Sequence, residues 1–272
     1  MAIKQNKTMR DHISVQPVLL LILLAISGEV LSENPSKATT LSPTTATDLT
    51  TNTTTTTTTT SPLHKICSGN IDIRNHVSFF RKLNNCGVID GYLQIVLIEH
   101  ANETDFEDLS FPDLREITKY LLFYRVSGLR SIGKLFPNLA LIRGNTLFED
   151  YAFIVFDMFH LEEVGLSRLA EISRGAVRIE KNPSLCFLDT INWHLIAKWD
   201  LEKNYVSVSQ QPAECPTSAV CRQAGCPLDL CWNSEFCQIP TNKTYNNCDP
   251  QCLGGCSGPG PTACHSCRNY LT

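Results

Sequence analysis

The sequence predicts a mainly β chain: a leucine-rich solenoid of short stacked strands, followed by a small disulfide-rich module. Three observations carry this. The motif Phe111-Pro112-x-Leu114-x-x-Ile117 returns as Phe136-Pro137-x-Leu139-x-x-Ile142, a shift of 25 residues. Each copy is followed by a short run of aromatic and aliphatic residues, "YLLFYRV" and then "YAFIVF". Ten of the 13 cysteines fall in the last 58 residues, where the apolar runs stop.

The first element is an export signal over residues 1–32. Lys4, Lys7 and Arg10 precede the nine-residue apolar run from Val18 to Ile26, and small residues follow, with cleavage sites after Ser27 or Ser32. This is the pattern of a cleaved signal peptide, since a bilayer span needs about 20 apolar residues. Residues 33–65 form a linker whose threonine tract, Ala38 to Ser61, has too few hydrophobes to build a core and reads as a mucin-like stalk. Asn52, Asn102 and Asn242 each open an N-glycosylation sequon, which predicts surface positions. A formal net charge of −4 lacks the basic stripe that nucleic acid requires, and no Lys/Arg cluster suits an anionic membrane.

Residues 66–215 form the solenoid. Self-similarity at 20–30 residues marks coils that cannot bury their apolar edges alone but bury a continuous core once stacked. Pro112 and Pro137 suit coil corners, because proline is excluded from central strand positions. Strand alternation places Leu93, Ile95 and Leu97 inward, with Tyr92, Gln94 and Val96 outward. In the next coil Leu121 and Phe123 point in, Leu122 and Tyr124 out; then Phe153 and Val155 in, Ile154 and Phe156 out. In the last, Val177 and Ile179 point in, and Arg178 and Glu180 form a solvated rim. Periodicity leaves two readings of the outward rows. They form an open apolar patch with a polar edge, suited to a protein partner, or they lie under a second layer, as in a parallel sheet covered on both faces.

A β-solenoid also admits a carbohydrate-cleaving site, for which Asp157, Glu180, Arg178 and Lys181 are the candidate residues, or a purely structural adhesion role. Acid–base cleavage needs carboxylates at a set separation, and no such cluster is visible. No nucleophile elbow, zinc-binding helix or phosphate-binding glycine loop is present, and no cofactor or metal is expected.

Residues 216–272 are too poor in hydrophobes to hold a core, so disulfides must hold them. Cys264-His265-Ser266-Cys267 contains a CxxC, but export favours disulfides over zinc. Thirteen cysteines leave one unpaired within the chain.

Several stretches carry a family resemblance. "DIRN", "NNCGVIDGYLQIVLI", "DFEDLSFPDLREITKYLLFYRV", "LFPNLALIRGNTLF", "RGAVRIEKN" and "CFLDTINW" resemble the first L domain of insulin and insulin-like growth factor receptors. "LIEHANETDFED" and "LREITKYLLF" look closer to the insect members than to the vertebrate ones. "CWNSEFC" and "CLGGCSGPGPTACHSCRNY" resemble the start of those receptors' furin-like cysteine-rich region. The resemblance implies a right-handed β-helical fold whose central sheet presents an open face to an insulin-like peptide hormone, in a secreted or cell-surface ectodomain. The chain is then either a secreted decoy or the hormone-binding end of a receptor tyrosine kinase, and is not itself an enzyme.

By motif, the implied contacts begin with Arg74 and Asn75, followed by Tyr92, Gln94, Val96, Leu97 and Glu99. Leu122, Tyr124 and Arg125 come next, then Phe148, Glu149, Tyr151, Phe156 and Asp157, and last Lys181. Glu99 and Glu149 stand where the family often has aromatics, which favours a more basic hormone surface. The resemblance also implies the disulfides Cys67–Cys86, Cys186–Cys215, Cys221–Cys231, Cys226–Cys237, Cys248–Cys256 and Cys252–Cys264. Cys267 would then seek a partner beyond Thr272 or on another chain. "QIPTNKTYNN" replaces several family cysteines, so the cysteine-rich region is shortened.

Overall fold

The computed structural model describes residues 65–239, 248–256 and 258–268. The signal peptide, nearly all of the linker, Asn52 and Asn242 lie outside them. No helix among the described residues is long and apolar enough to cross a membrane.

Five coils each cross two parallel sheets. Sheet A holds β1 (Ile66–Ser68), β3 (Val88–Asp90), β5 (Glu116–Ile117), β7 (Leu141–Ile142) and β9 (Glu171–Ile172), in that order. Sheet B holds β2 (Ile71–Arg74), β4 (Leu93–Ile98), β6 (Leu121–Val126), β8 (Tyr151–Phe156) and β10 (Ala176–Glu180), and ends on β11 (Tyr205–Val206). The repeat stacks in register: Glu116 pairs with Leu141 and Ile117 with Ile142. Pro112 and Pro137 sit in turns just before these strands, and the neighbouring Phe111 and Phe136 rings lie 6.2 Å apart. Coils approach closely at glycine: a Cβ on Gly91 would meet the carbonyl oxygen of Gly69 at 2.2 Å.

The inward rows form one core. Leu93, Ile95, Leu121, Phe123, Phe153, Val155, Val177 and Ile179 all belong to it. Leu97 does not. Its φ of 54° breaks the alternation, so Leu97 stays half-buried and Ile98 enters the core instead. Asn182 reaches into the solenoid, where its side chain accepts from Met158 N and donates to the Val155 carbonyl. It thereby satisfies backbone groups that burial would otherwise strand.

Six disulfides join the pairs that the resemblance implies. They place the chain in an oxidising, extracellular compartment. Cys264 is taken by Cys252, so the CxxC is not a zinc chelate. Cys267 has no disulfide partner among the described residues, and burial together with the Glu116 carboxylate pushes its thiol pKa up against the pull of Arg143.

The cysteine-rich segment is not held by disulfides alone. Trp232 is fully buried in the solenoid core, edge-on to Trp193 at 5.7 Å. Around it, Cys231 N donates to the Thr190 carbonyl, and Gln238 pairs with the backbone of Asn192 in both directions. Further on, β12 (Cys252–Cys256) and β13 (Cys264–Cys267) form a hairpin against sheet A. Arg143 forms a buried bidentate pair with Glu116 and donates to the carbonyls of Cys267 and Arg268, each at 3.0 Å. The Ser266 hydroxyl donates to the Arg115 carbonyl.

Candidate functional site

Sheet B is the candidate site. Its register aligns the outward residues in rows that cross the coils: Asp72, Gln94, Leu122, Ile154 and Arg178, then Arg74, Val96, Tyr124, Phe156 and Glu180. These residues point away from the inner core and do not belong to it. They are nonetheless withdrawn from solvent: Val96 is 0% exposed, and Tyr124 and Phe156 are 1% exposed. An open apolar patch is therefore not what the structure holds. Val96, Leu122, Tyr124, Ile154, Phe156, Arg178 and Glu180 are all buried, while Asp72 and Arg74 in the first coil are half-buried. Tyr124 and Phe156 pack with ring centroids 6.0 Å apart. Burial raises the Tyr124 pKa, partly opposed by Arg125.

Next to this row runs a column that alternation did not anticipate. Asn75, Leu97, Arg125, Asp157 and Lys181 occupy equivalent positions in successive coils, and every one has positive φ, between 49° and 70°. Non-glycine residues rarely take this left-handed conformation, and it costs roughly 1–2 kcal/mol each. The conformation recurs at the same point of five successive coils, so it belongs to the repeat and not to any one local sequence. The kink turns each side chain to the sheet's end, where the column is half-buried or exposed. Arg125 Nε donates to Asp157 at 2.7 Å and Arg125 lies 4.0 Å from Glu99. The hydrogen bond to Asp157 raises the Arg125 pKa above its usual value. Lys181 sits 5.1 Å over the Phe156 ring and Arg125 5.4 Å over Tyr124, so cations edge the aromatic row.

The opposite end of the sheet carries a second aromatic tier. Tyr92 stacks on Tyr120 at 4.8 Å, and Tyr120 meets Phe148 edge-on at 5.8 Å. Strand alternation does not point to Tyr120, because it precedes β6 and falls outside the period. It is buried, takes a hydrogen bond from Gln94, and its pKa is pushed up to about 12, chiefly by desolvation. Tyr92, Phe148 and Tyr151 are half-buried, Arg74 is half-buried beside Asp72, and Glu149 is exposed with positive φ.

Arg178 and Glu180 do not form a solvated rim. They are 6% and 5% exposed and pair with each other at 2.7 Å. The guanidinium lies between the Tyr151 and Tyr205 rings, 5.4 Å from each, and this stacking removes it from water. The two carboxylates considered for glycan cleavage are thus both occupied, Glu180 by Arg178 and Asp157 by Arg125.

With this geometry in view, comparison with known proteins is direct. Residues 85–197 match the Receptor L domain family. The chain is 43% identical over 228 residues to the insulin-like growth factor 1 receptor of Xenopus laevis, covering 76% of this chain and 17% of that protein. It is 47% identical over 203 residues to the insulin-like peptide receptor of Branchiostoma lanceolatum, covering 74% and 14%. It is 44% identical over 220 residues to a putative molluscan insulin-related peptide receptor of Lymnaea stagnalis, covering 76% and 13%. The chain spans less than a fifth of the length of each of these relatives. The family match takes in the middle coils of both sheets and the column from Leu97 to Lys181, so the chain carries a receptor L domain, and about three quarters of it is similar to insulin-type receptors.

Proposed function

We propose that the chain binds an insulin-like peptide hormone outside the cell through sheet B. The column of five left-handed residues carries the reading, because each of its members is also a contact that the resemblance implies. A partner meets this column first, together with Glu99, Glu149, Tyr92, Phe148 and Tyr151, which are half-buried or exposed. Arg74 and Gln94 flank the same face. Val96, Leu122, Tyr124 and Phe156 lie deeper and are engaged only as the face yields them. Glu99 and Glu149 are both exposed at this face, which favours a more basic hormone surface.

The test is calorimetric titration of the full chain with an insulin-like peptide at low and physiological salt. Saturable binding that weakens with salt supports the reading, and Arg125→Glu should then change the salt dependence. Absence of heat with several such peptides refutes it. Two settings fit this activity: a secreted decoy that sequesters hormone, or the hormone-binding end of a receptor tyrosine kinase. Sequencing the transcript beyond Thr272 separates them, since a membrane span and kinase motifs remove the decoy.

A further inference from the structure

Off the end of sheet B lies a groove of about 430 Å³, lined across four coils by Ala101, Asn102, Glu103, Gly128, Arg130, His160, Glu162 and Ser184. Its volume falls in the ~300–1,000 Å³ range of ligand-sized pockets. Its walls mix apolar surface with polar side chains that are linked to one another. Arg130 bridges Glu103 at 2.7 Å and also holds Glu162, which ties three coils together. Gly128 N donates to His160 Nδ1 at 3.2 Å, so Nε2 carries the imidazole hydrogen and remains a donor. The three groups Glu103, His160 and Glu162 do not converge as metal ligands.

One wall residue opens a sequon. Asn102 is exposed, and its Oδ1 already accepts from Thr104 N at 2.9 Å and from the Thr104 hydroxyl at 2.6 Å. Its Nδ2, the atom that an N-linked sugar occupies, makes no hydrogen bond among the described residues. Asn102 N is held by Asp105 in a capping box, and a Cβ on Gly128 would strike the Asn102 carbonyl carbon at 2.4 Å. The asparagine is therefore clamped with its oxygen engaged, its nitrogen free and the groove beside it.

We propose that Asn102 carries an N-linked glycan whose first sugars seat in this groove. The chemistry matches an N-acetylglucosamine. Its hydroxyls donate to Glu103 and Glu162, and its acetamido carbonyl accepts from His160 Nε2. Thr104→Ala would abolish the modification without altering the groove's lining. The seated sugars form a fixed wall beside Glu99 and the strained column and limit the side from which a partner approaches. The proposal does not depend on the hormone reading.

The test uses the full chain secreted from cells fed ¹³C-glucose. Enzymatic release of N-glycans in heavy-oxygen water should convert Asn102 to labelled aspartate, and Thr104→Ala should abolish that label. In the intact glycoprotein, nuclear Overhauser contacts should join the first acetamido methyl to His160, and His160→Ala should remove them while leaving occupancy unchanged. An unlabelled Asn102 overturns the proposal. So does an occupied Asn102 whose sugar resonances match those of a free glycan and show no protein contacts.

Discussion

Sheet A and sheet B are made by the same five coils, yet they end differently. In sheet A, β5, β7 and β9 are only two residues long, and a buried ion pair closes that side. Arg143 satisfies Glu116 and two carbonyls of the cysteine-rich hairpin at once, so a buried ion pair ties the hairpin to that side, although Arg115 Nε beside it is buried without a hydrogen-bond partner. In sheet B, β4, β6 and β8 are six residues long and run into a column of positive φ that fans charged side chains outward. The difference teaches that one coil repeat can build a joint on one side and a presenting face on the other. A buried ion pair makes the joint, and backbone strain makes the face.

The contrast can be broken most severely at the joint. Arg143→Met leaves Glu116 buried without its partner, and chemical denaturation should show a loss of about 3–5 kcal/mol. Adding Glu116→Gln to that variant should recover part of the loss. Failure of the double variant to recover would mean that the hairpin carbonyls, not the carboxylate, dominate. Phe153→Ala attacks the core that both sheets share and should cost about 3–5 kcal/mol in the same assay.

A smaller effect tests the strained column. At Leu97, alanine keeps the left-handed penalty while glycine removes it. Leu97→Gly should therefore be more stable than Leu97→Ala by about 1 kcal/mol, the reverse of the usual order in a strand. If alanine is the more stable, the column is not strained.

A pH-dependent effect is expected at the aromatic tier. Because the Tyr120 pKa is raised to about 12 from 10.0, the fold prefers the neutral phenol. That contribution is present below pH 10 and is lost as pH rises toward about 12. Tyr120→Phe should flatten the alkaline loss of stability measured by circular dichroism. An unchanged alkaline profile would remove Tyr120 from the account.

The solenoid was legible because its signal is redundant. The 25-residue shift, the proline corners and the inward alternation all agree, and β5 and β7 pair in that register. Leu97 was misplaced because alternation assumes extended backbone, and nothing in "QIVLIEH" marks a left-handed residue. Arg178 and Glu180 read as rim residues by charge alone; their burial depends on Tyr205, which is brought alongside from a later coil. Trp232 belongs to a segment with no apolar run, so its place in the solenoid core was invisible. Such contacts between distant parts of the chain leave no local pattern.

The central claim is that sheet B binds a hormone, which meets the left-handed column first and then Tyr124 and Phe156 behind it. The most direct test is the dissociation constant of an insulin-like peptide for the full chain and for Tyr124→Ala and Phe156→Ala, each checked for an intact fold. Each substitution is predicted to weaken binding by more than ~1 kcal/mol. Two folded variants that bind as tightly as the wild type would contradict the account.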